Sequence, residues 1–115
     1  AGQGGDYPVG EAVFSPDWVA GIFLLLSSRV FALLNGFDER YFLYFEDVDL
    51  CCRIRQAGYR ILLDPTVSVV HNARRDSHRK INYLGWHTLS AIRFFSSPVY
   101  WTERCPNRRQ GKRDR

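Results

Sequence analysis

Apolar residues change their spacing along this chain, and the changes divide it into predicted strands and helices. Residues 18–26 form an apolar run broken only by Gly21, which predicts a central strand covered on both faces. Residues 60–64 and 67–71 are shorter apolar runs, and we expect two further strands, the second ending at His71. A glycine inside a strand often marks the close approach of another group, although a simple packing constraint explains Gly21 equally well.

Three other stretches have helical spacing. A short helix is predicted after Ser27-Ser28, ending at Asn35-Gly36, and a second one runs from about Glu46 to Gly58. The third prediction is a long amphipathic helix over residues 78–97, ended by Pro98. Its expected apolar stripe consists of Ile81, Leu84, Ile92 and Phe95. Strands mixed with helices predict an α/β fold.

These elements predict an order of segments. A glycine-rich linker or loop covers residues 1–16, a mixed α/β region covers 17–76, the amphipathic helix covers 77–101, and a basic, disordered tail covers 102–115. With 115 residues and 45% hydrophobic content, the chain is more apolar than its own small core requires. We therefore expect it to be part of a larger fold and, alone, to self-associate through unpaired sheet edges.

Charge and cysteine content predict the cellular location and the kinds of partner. Three cysteines form no even-numbered framework and no Cys-x-x-Cys pair, and the start of the sequence lacks secretory features, so we expect a cytoplasmic protein. No apolar run reaches the length of a transmembrane helix. The net charge of +4 is concentrated in the tail, without a nucleic-acid reading motif, so no nucleic-acid partner is expected. The aromatic residues Trp86, Tyr100 and Trp101 fit either peripheral contact with the inner face of the membrane or packing on another protein surface.

The residues most able to do chemistry lie between Tyr44 and Leu50, where three carboxylates follow a run of aromatics. Asp47-Val48-Asp49 matches a two-aspartate metal pattern, but on a helix side chains two apart diverge by about 200° and cannot readily share an ion. First-turn acids also stabilise a helix dipole, so a structural role and an active-site role both remain open. For His71, a metal ligand and a buried, hydrogen-bonded histidine are both open.

Several motifs occur together in one order. They are Asp17-Trp-Val-Ala-Gly, Asn35-Gly-Phe-Asp-Glu, Tyr44-Phe-Glu-Asp-Val-Asp-Leu-Cys and Gln56-Ala-Gly-Tyr, followed by the strand that ends in His71. Over about residues 15–100 this combination resembles the C-terminal half of a family-two glycosyltransferase, and rhamnosyltransferases in particular. The resemblance implies half of a GT-A, Rossmann-like sandwich. It also implies inverting sugar transfer from a nucleotide-sugar donor to a glycan or lipid-linked acceptor, in cell-surface polysaccharide synthesis.

The resemblance also implies roles for individual residues. Asp47 would be the general base that takes the proton of the acceptor hydroxyl, and Glu46 would orient the acceptor or the base. Asp49 would support the loop or contact the acceptor. Trp18 and Gly21 would line the acceptor side of the cleft.

His71 would help to hold a catalytic Mg²⁺ or Mn²⁺ ion, as the corresponding histidine does in some relatives. The nucleotide-binding strands and the metal-binding aspartate pair of such enzymes have no counterpart in this sequence. We therefore expect the 115 residues alone to be inactive. The alternative is a non-catalytic module that docks on a membrane or a partner through its aromatic helix and basic tail.

Overall fold

The structure, a computed structural model, describes residues 12–71 and 81–104. Four helices are present in these ranges: α1 (Ser28–Leu33), α2 (Glu46–Gln56), α3 (Ile81–Phe95) and α4 (Pro98–Arg104). The remaining described chain is extended or turning, with a single antiparallel bridge between Phe14 and Leu63 in these ranges. The regular secondary structure of these residues is therefore almost entirely helical, and no helix among them is long and apolar enough to cross a bilayer.

Helix α2 lies at the centre because both of its sides are covered. One side contributes Leu50, Cys51 and Ile54 to a cluster that also contains Ile61, with four partly buried residues packed on it, Val19, Leu24, Leu26 and Leu34. The other side contributes Cys52 to a cluster with Tyr41 and Phe94, against which Phe45, Val48, Val99 and Tyr100 pack. The helix is thus sandwiched between the extended chain before α1 and the pair α3–α4.

The ends of α1 and α2 confirm the signals in the sequence. Asn35 adopts a left-handed conformation with φ 58°, and the Gly36 amide donates to the Phe31 carbonyl at 2.9 Å. After α2, Gly58 has φ 87° and the Tyr59 amide donates to a carbonyl in the last turn at 3.1 Å. Both ends close with the six-to-one hydrogen bond of a left-handed helix stop.

A buried ion pair joins α2 to the end of α1. The Arg53 Nε donates to the Asp49 Oδ2 at 2.8 Å, and Asp49 is only 1% exposed. The Arg53 Nη1 also donates to the carbonyls of Leu34, at 2.7 Å, and Gly36, at 2.9 Å, where the turn after α1 leaves acceptors for a donor. Burial raises the pKa of the Asp49 carboxyl, and the hydrogen bond from Arg53 opposes the rise.

The prediction of three strands is wrong for the residues that the structure describes. In 18–26, the chain turns at Gly21 and then runs extended, with Leu24 and Leu26 packed on α2 and Leu25 94% exposed. The predicted strands 60–64 and 67–71 contribute only the bridge at Leu63. A strand needs a neighbouring backbone to pair its amides and carbonyls, and the described chain offers one for a single residue pair. The expected α/β sandwich is therefore not formed by the described residues.

The long C-terminal helix is confirmed over Ile81–Phe95, but most of its apolar stripe is exposed. Ser90 and Phe94 are buried, whereas Leu84 and Ile92 of the predicted stripe are exposed. Ser90 is buried because α3 covers the loop of residues 41–45, where the Leu43 carbonyl accepts a hydrogen bond from the Ser90 hydroxyl. Phe95 is likewise half exposed.

Pro98 does more than end a helix. It is the first residue of α4, and the Ser97 Oγ accepts a hydrogen bond from the Tyr100 amide at 3.3 Å, an N-terminal cap. The linker predicted over residues 1–16 and the tail predicted over 102–115 lie mostly outside the described residues. The loop of residues 41–45 packs on α3.

Replacing the buried arginine tests how much the ion pair stabilises the chain. Arg53→Ala leaves the Asp49 carboxylate buried without its partner, and we expect a loss of about 3–5 kcal/mol in the free energy of unfolding. Arg55→Ala is the matched control, because Arg55 pairs at 2.8 Å with Asp17, whose side chain is 94% exposed. That control should lose no more than about 1 kcal/mol in urea unfolding. Equal losses in Arg53→Ala and Arg55→Ala would mean that the buried ion pair stabilises the fold no more than the exposed one.

The loss of stability in Arg53→Ala should depend on pH in one direction. In the unfolded chain, the Asp49 carboxyl has the ordinary pKa of an aspartate, about 3.9. In folded Arg53→Ala, burial acts on the pKa of Asp49 without Arg53 to oppose it, so the folded state binds the proton more tightly. The stability deficit should be smallest below about pH 4 and should grow as pH rises through the raised folded pKa. A deficit that grows on acidification would contradict this assignment.

Candidate active site

The N-terminus of α2 follows two aromatic residues in an uncommon conformation. Tyr44 and Phe45 both have φ 66°, in the left-handed region that residues with a Cβ seldom adopt. Phe45 immediately precedes the helix, and its carbonyl accepts the Asp49 amide at 2.9 Å. Such residues cost about 1–3 kcal/mol each and persist where the surroundings hold them, which is frequent at active sites.

Helix α3 provides that support. The buried Ser90 Oγ donates to the Leu43 carbonyl at 2.7 Å, across 47 positions of sequence. The His87 ring meets the Tyr44 and Phe45 rings edge-on, with centroids 5.1 Å and 5.5 Å apart. The strained turn of residues 43–45 is therefore held from one side by a hydrogen bond and by ring packing.

The structure brings Gly21 and Asp47 together. The Gly21 amide donates to the Asp47 Oδ2 at 2.8 Å, and the Val48 amide donates to the Oδ1 at 2.8 Å. A side chain at position 21 would begin 3.4 Å from the Asp47 Cβ, so the two backbones lie close. Each oxygen of an ionised carboxylate has two acceptor positions, so the half-buried Asp47 can still accept a hydrogen bond from a ligand.

Glu46 lies beside Asp47 and has an unusual environment. Its Oε2 is buried and has no hydrogen-bond partner in the described structure. A buried acceptor without a donor is costly and rare in folded proteins. The first turn of α2 therefore contains one carboxylate oriented by two amides and another with an unsatisfied oxygen.

Asp49 and Trp18 occupy different positions from these two carboxylates. Asp49 turns into the protein toward Arg53, away from solvent, so the two aspartates of the Asp47-Val48-Asp49 pattern diverge as the helix geometry predicts. Trp18 is half exposed on the extended segment that carries Gly21. Next to it, Val19 packs on the core of α2, which keeps this segment against the helix.

His71 is exposed at the end of the first described range. Across residues 12–71 and 81–104, no three side chains of histidine, cysteine, aspartate or glutamate lie close enough together to hold a metal ion. The described residues therefore do not form a metal site around His71.

Sequence reasoning missed Ser90 and His87, which support the site from a distant helix. Ser90 lies on the side of α3 opposite to the apolar stripe, where a polar residue is ordinarily read as solvent-exposed. A serine in a segment crowded with aromatic residues was the available signal. The partner that gives it a role is a backbone carbonyl, which no sequence pattern reveals.

Two curated rhamnosyltransferases are similar to this chain. It is 37% identical over 90 residues to rhamnosyltransferase WbbL of Escherichia coli (strain K12), an alignment covering 75% of this chain and 34% of that protein. It is 34% identical over 96 residues to the N-acetylglucosaminyl-diphospho-decaprenol L-rhamnosyltransferase of Mycobacterium tuberculosis (strain ATCC 25618 / H37Rv), covering 76% and 31%. The predicted resemblance to rhamnosyltransferases is confirmed.

A more distant relative is the O-antigen biosynthesis protein RfbC of Myxococcus xanthus, 28% identical over 97 residues, covering 79% of this chain and 8% of that protein. The chain spans about a third of the length of the two rhamnosyltransferases. No family model and no solved structure matches the chain.

Removing the Ser90 hydroxyl tests whether α3 holds the strained turn. Ser90→Ala leaves the Leu43 carbonyl without this donor, which should cost about 1–3 kcal/mol of unfolding free energy. The Asp49 amide, bonded to Phe45, should then exchange its hydrogen faster. Ser96→Ala is the control, because the exposed Ser96 bonds only within its own helix turn, and it should change stability by less than about 0.5 kcal/mol. An unchanged hydrogen-exchange rate of the Asp49 amide in Ser90→Ala would show that the turn keeps its conformation without support from α3.

Proposed function

We propose that this chain is the acceptor and catalytic part of an inverting glycosyltransferase similar to rhamnosyltransferases. The enzyme would transfer a sugar from a nucleotide-activated donor to a glycan or lipid-linked acceptor, in the synthesis of a cell-surface polysaccharide. The observation that carries this proposal is the Asp47 carboxylate, held by the Gly21 amide at 2.8 Å in a chain 37% identical to a rhamnosyltransferase. Similarity to the two rhamnosyltransferases favours rhamnose as the sugar, and similarity to the mycobacterial one favours a polyprenol-linked acceptor.

Asp47 is the proposed general base. As the acceptor hydroxyl attacks the anomeric carbon, its proton passes to the Asp47 carboxylate. The bond to the nucleoside diphosphate breaks on the opposite face, and the leaving group departs with the bonding electrons, so the configuration inverts. A carboxylate placed within hydrogen-bond reach of the hydroxyl contributes about 10²–10⁴-fold to such a step. The helix N-terminus supports this role because it favours negative charge.

Glu46, Trp18 and Asp49 have supporting roles in this proposal. The unpaired Glu46 Oε2 is an acceptor that a sugar hydroxyl would satisfy, so Glu46 orients the acceptor. Trp18, half exposed on the segment that carries Gly21, offers an apolar surface to the acceptor. Asp49 acts through structure, since its pair with Arg53 positions α2.

The donor would be held by the rest of the polypeptide, since the chain spans about a third of the two rhamnosyltransferases. Without that part, the 115 residues should neither transfer sugar nor bind a nucleotide sugar tightly, and their exposed apolar surfaces should promote self-association. Dependence on Mg²⁺ or Mn²⁺ remains a prediction, since the described residues provide no ligand cluster around His71. A cytoplasmic location is part of the same proposal.

The base assignment is tested in the full-length protein with a nucleotide-activated rhamnose and a polyprenyl-linked acceptor. Asp47→Asn removes the basic oxygen, so the turnover number should fall by about 10²–10⁴-fold. Its side-chain NH2 group cannot accept a hydrogen bond from one of the two backbone amides that Asp47 holds, so urea unfolding checks that the variant is folded. Glu46→Gln should mainly raise the KM for the acceptor. Asp64→Asn is the matched control, because Asp64 is exposed and its carboxylate accepts hydrogen bonds from Thr66 nearby.

The outcomes separate the alternatives. Full transfer by Asp47→Asn together with loss in Glu46→Gln would move the base to Glu46. Full transfer by both variants, with function lost on removing residues 102–115, would favour the docking module over the catalytic part. A wild-type protein that transfers no sugar from any nucleotide donor would refute the proposed function itself.

A further inference from the structure

One side of α3 is apolar and open to solvent. Four large residues on it are 49–68% exposed, and helical geometry places them within an arc of about 140°: Leu84, Leu89, Ile92 and Phe95. We call these four residues the α3 surface. The opposite side of the helix carries Ser90 and Phe94, which are buried against the rest of the chain.

Charge is divided unevenly between the two parts of the sequence. Residues 72–115 contain eleven lysines and arginines against three acidic residues, a net charge of +8. Residues 1–71 contain five arginines against nine acidic residues, a net charge of −4. Helix α3 itself has no acidic residue. The apolar α3 surface therefore lies in the strongly cationic part of the chain.

These two features together identify the kind of surface that α3 fits. An apolar strip within a cationic stretch of sequence is typical of a helix that lies in the interface of an anionic bilayer, with its apolar side among the acyl chains. An uncharged protein surface would explain the apolar strip but not the cations, and a nucleic acid would explain the cations but not the strip. Trp101, exposed on the following helix, is a residue favoured at the level of lipid headgroups.

We propose that the α3 surface docks on an anionic phospholipid bilayer, with the helix axis parallel to the membrane. At 15 residues the helix is about 22 Å long, which suits lying on a bilayer rather than crossing it. Ser90, which donates to the Leu43 carbonyl, lies on the side of α3 opposite to the α3 surface. Docking therefore does not disturb the support of the strained turn. This inference does not rest on the proposed function.

Vesicle sedimentation of the full-length protein tests the proposal. The wild type should bind vesicles of equimolar phosphatidylglycerol and phosphatidylcholine, and should bind phosphatidylcholine vesicles at least tenfold more weakly, since each cation near an anionic surface contributes about fivefold. The double variant Leu89→Glu/Ile92→Glu should lose at least about tenfold in affinity for the anionic vesicles, because it places carboxylates in the acyl region.

The matched control is Leu25→Glu/Val70→Glu. It adds the same two charges at residues that are 94% and 98% exposed outside the α3 surface, and its affinity should stay within about threefold of the wild type. Circular dichroism and urea unfolding check that both variants fold. If the glutamate variant does not fold, Leu89→Ser/Ile92→Ser replaces it and should also weaken binding, although less.

Three results would overturn the proposal. The first is a wild type that does not bind anionic vesicles, and the second is an equal loss in both glutamate variants, which would reduce binding to net charge alone. The third is a lipid-free dimer that only Leu89→Glu/Ile92→Glu dissociates, with no vesicle binding by the wild type, because the surface would then be covered by a second copy. Sugar transfer to an acceptor in detergent is measured separately, so failure here is distinct from failure of the proposed enzyme activity.

Discussion

The buried charge of Asp49 is the constraint on which the described structure depends. A carboxylate that is 1% exposed requires a cation, and Arg53, one turn later on the same helix, provides it at 2.8 Å. Because the guanidinium is a fork, its other arm reaches the Leu34 and Gly36 carbonyls after α1. One ion pair thus determines how α1, its turn and α2 meet.

The same helix separates three acidic residues into different environments. Asp49 faces the interior, Asp47 meets the Gly21 amide, and Glu46 keeps an unpaired buried oxygen. Helical geometry turns neighbouring side chains in different directions, so adjacent carboxylates need not compete for one partner. A structural role and the proposed catalytic role can therefore lie within four residues of sequence.

The elements that sequence predicts well here are those whose signals are local. The ends of α1 and α2, at Asn35 and Gly58, depend on backbone conformations that nearby residues determine. The strand predictions were wrong because pairing needs a second backbone. Which side of α3 is covered depends on what lies opposite, and the spacing of apolar residues in α3 does not show that. At the site, Asp47 and Gly21 were found through the resemblance, whereas the role of Ser90 depends on a carbonyl that sequence does not reveal.

The contacts that shape the candidate site join positions far apart in the chain. Gly21 bonds to Asp47 across 26 positions, Ser90 reaches the Leu43 carbonyl across 47, and Gln56 donates to the Val99 carbonyl across 43. Long-range contacts form late, because the intervening loop must close before they stabilise anything. Ser90 follows the turn before α2 by about 45 residues. During synthesis on the ribosome, this turn therefore cannot gain its support from α3 until those residues have emerged.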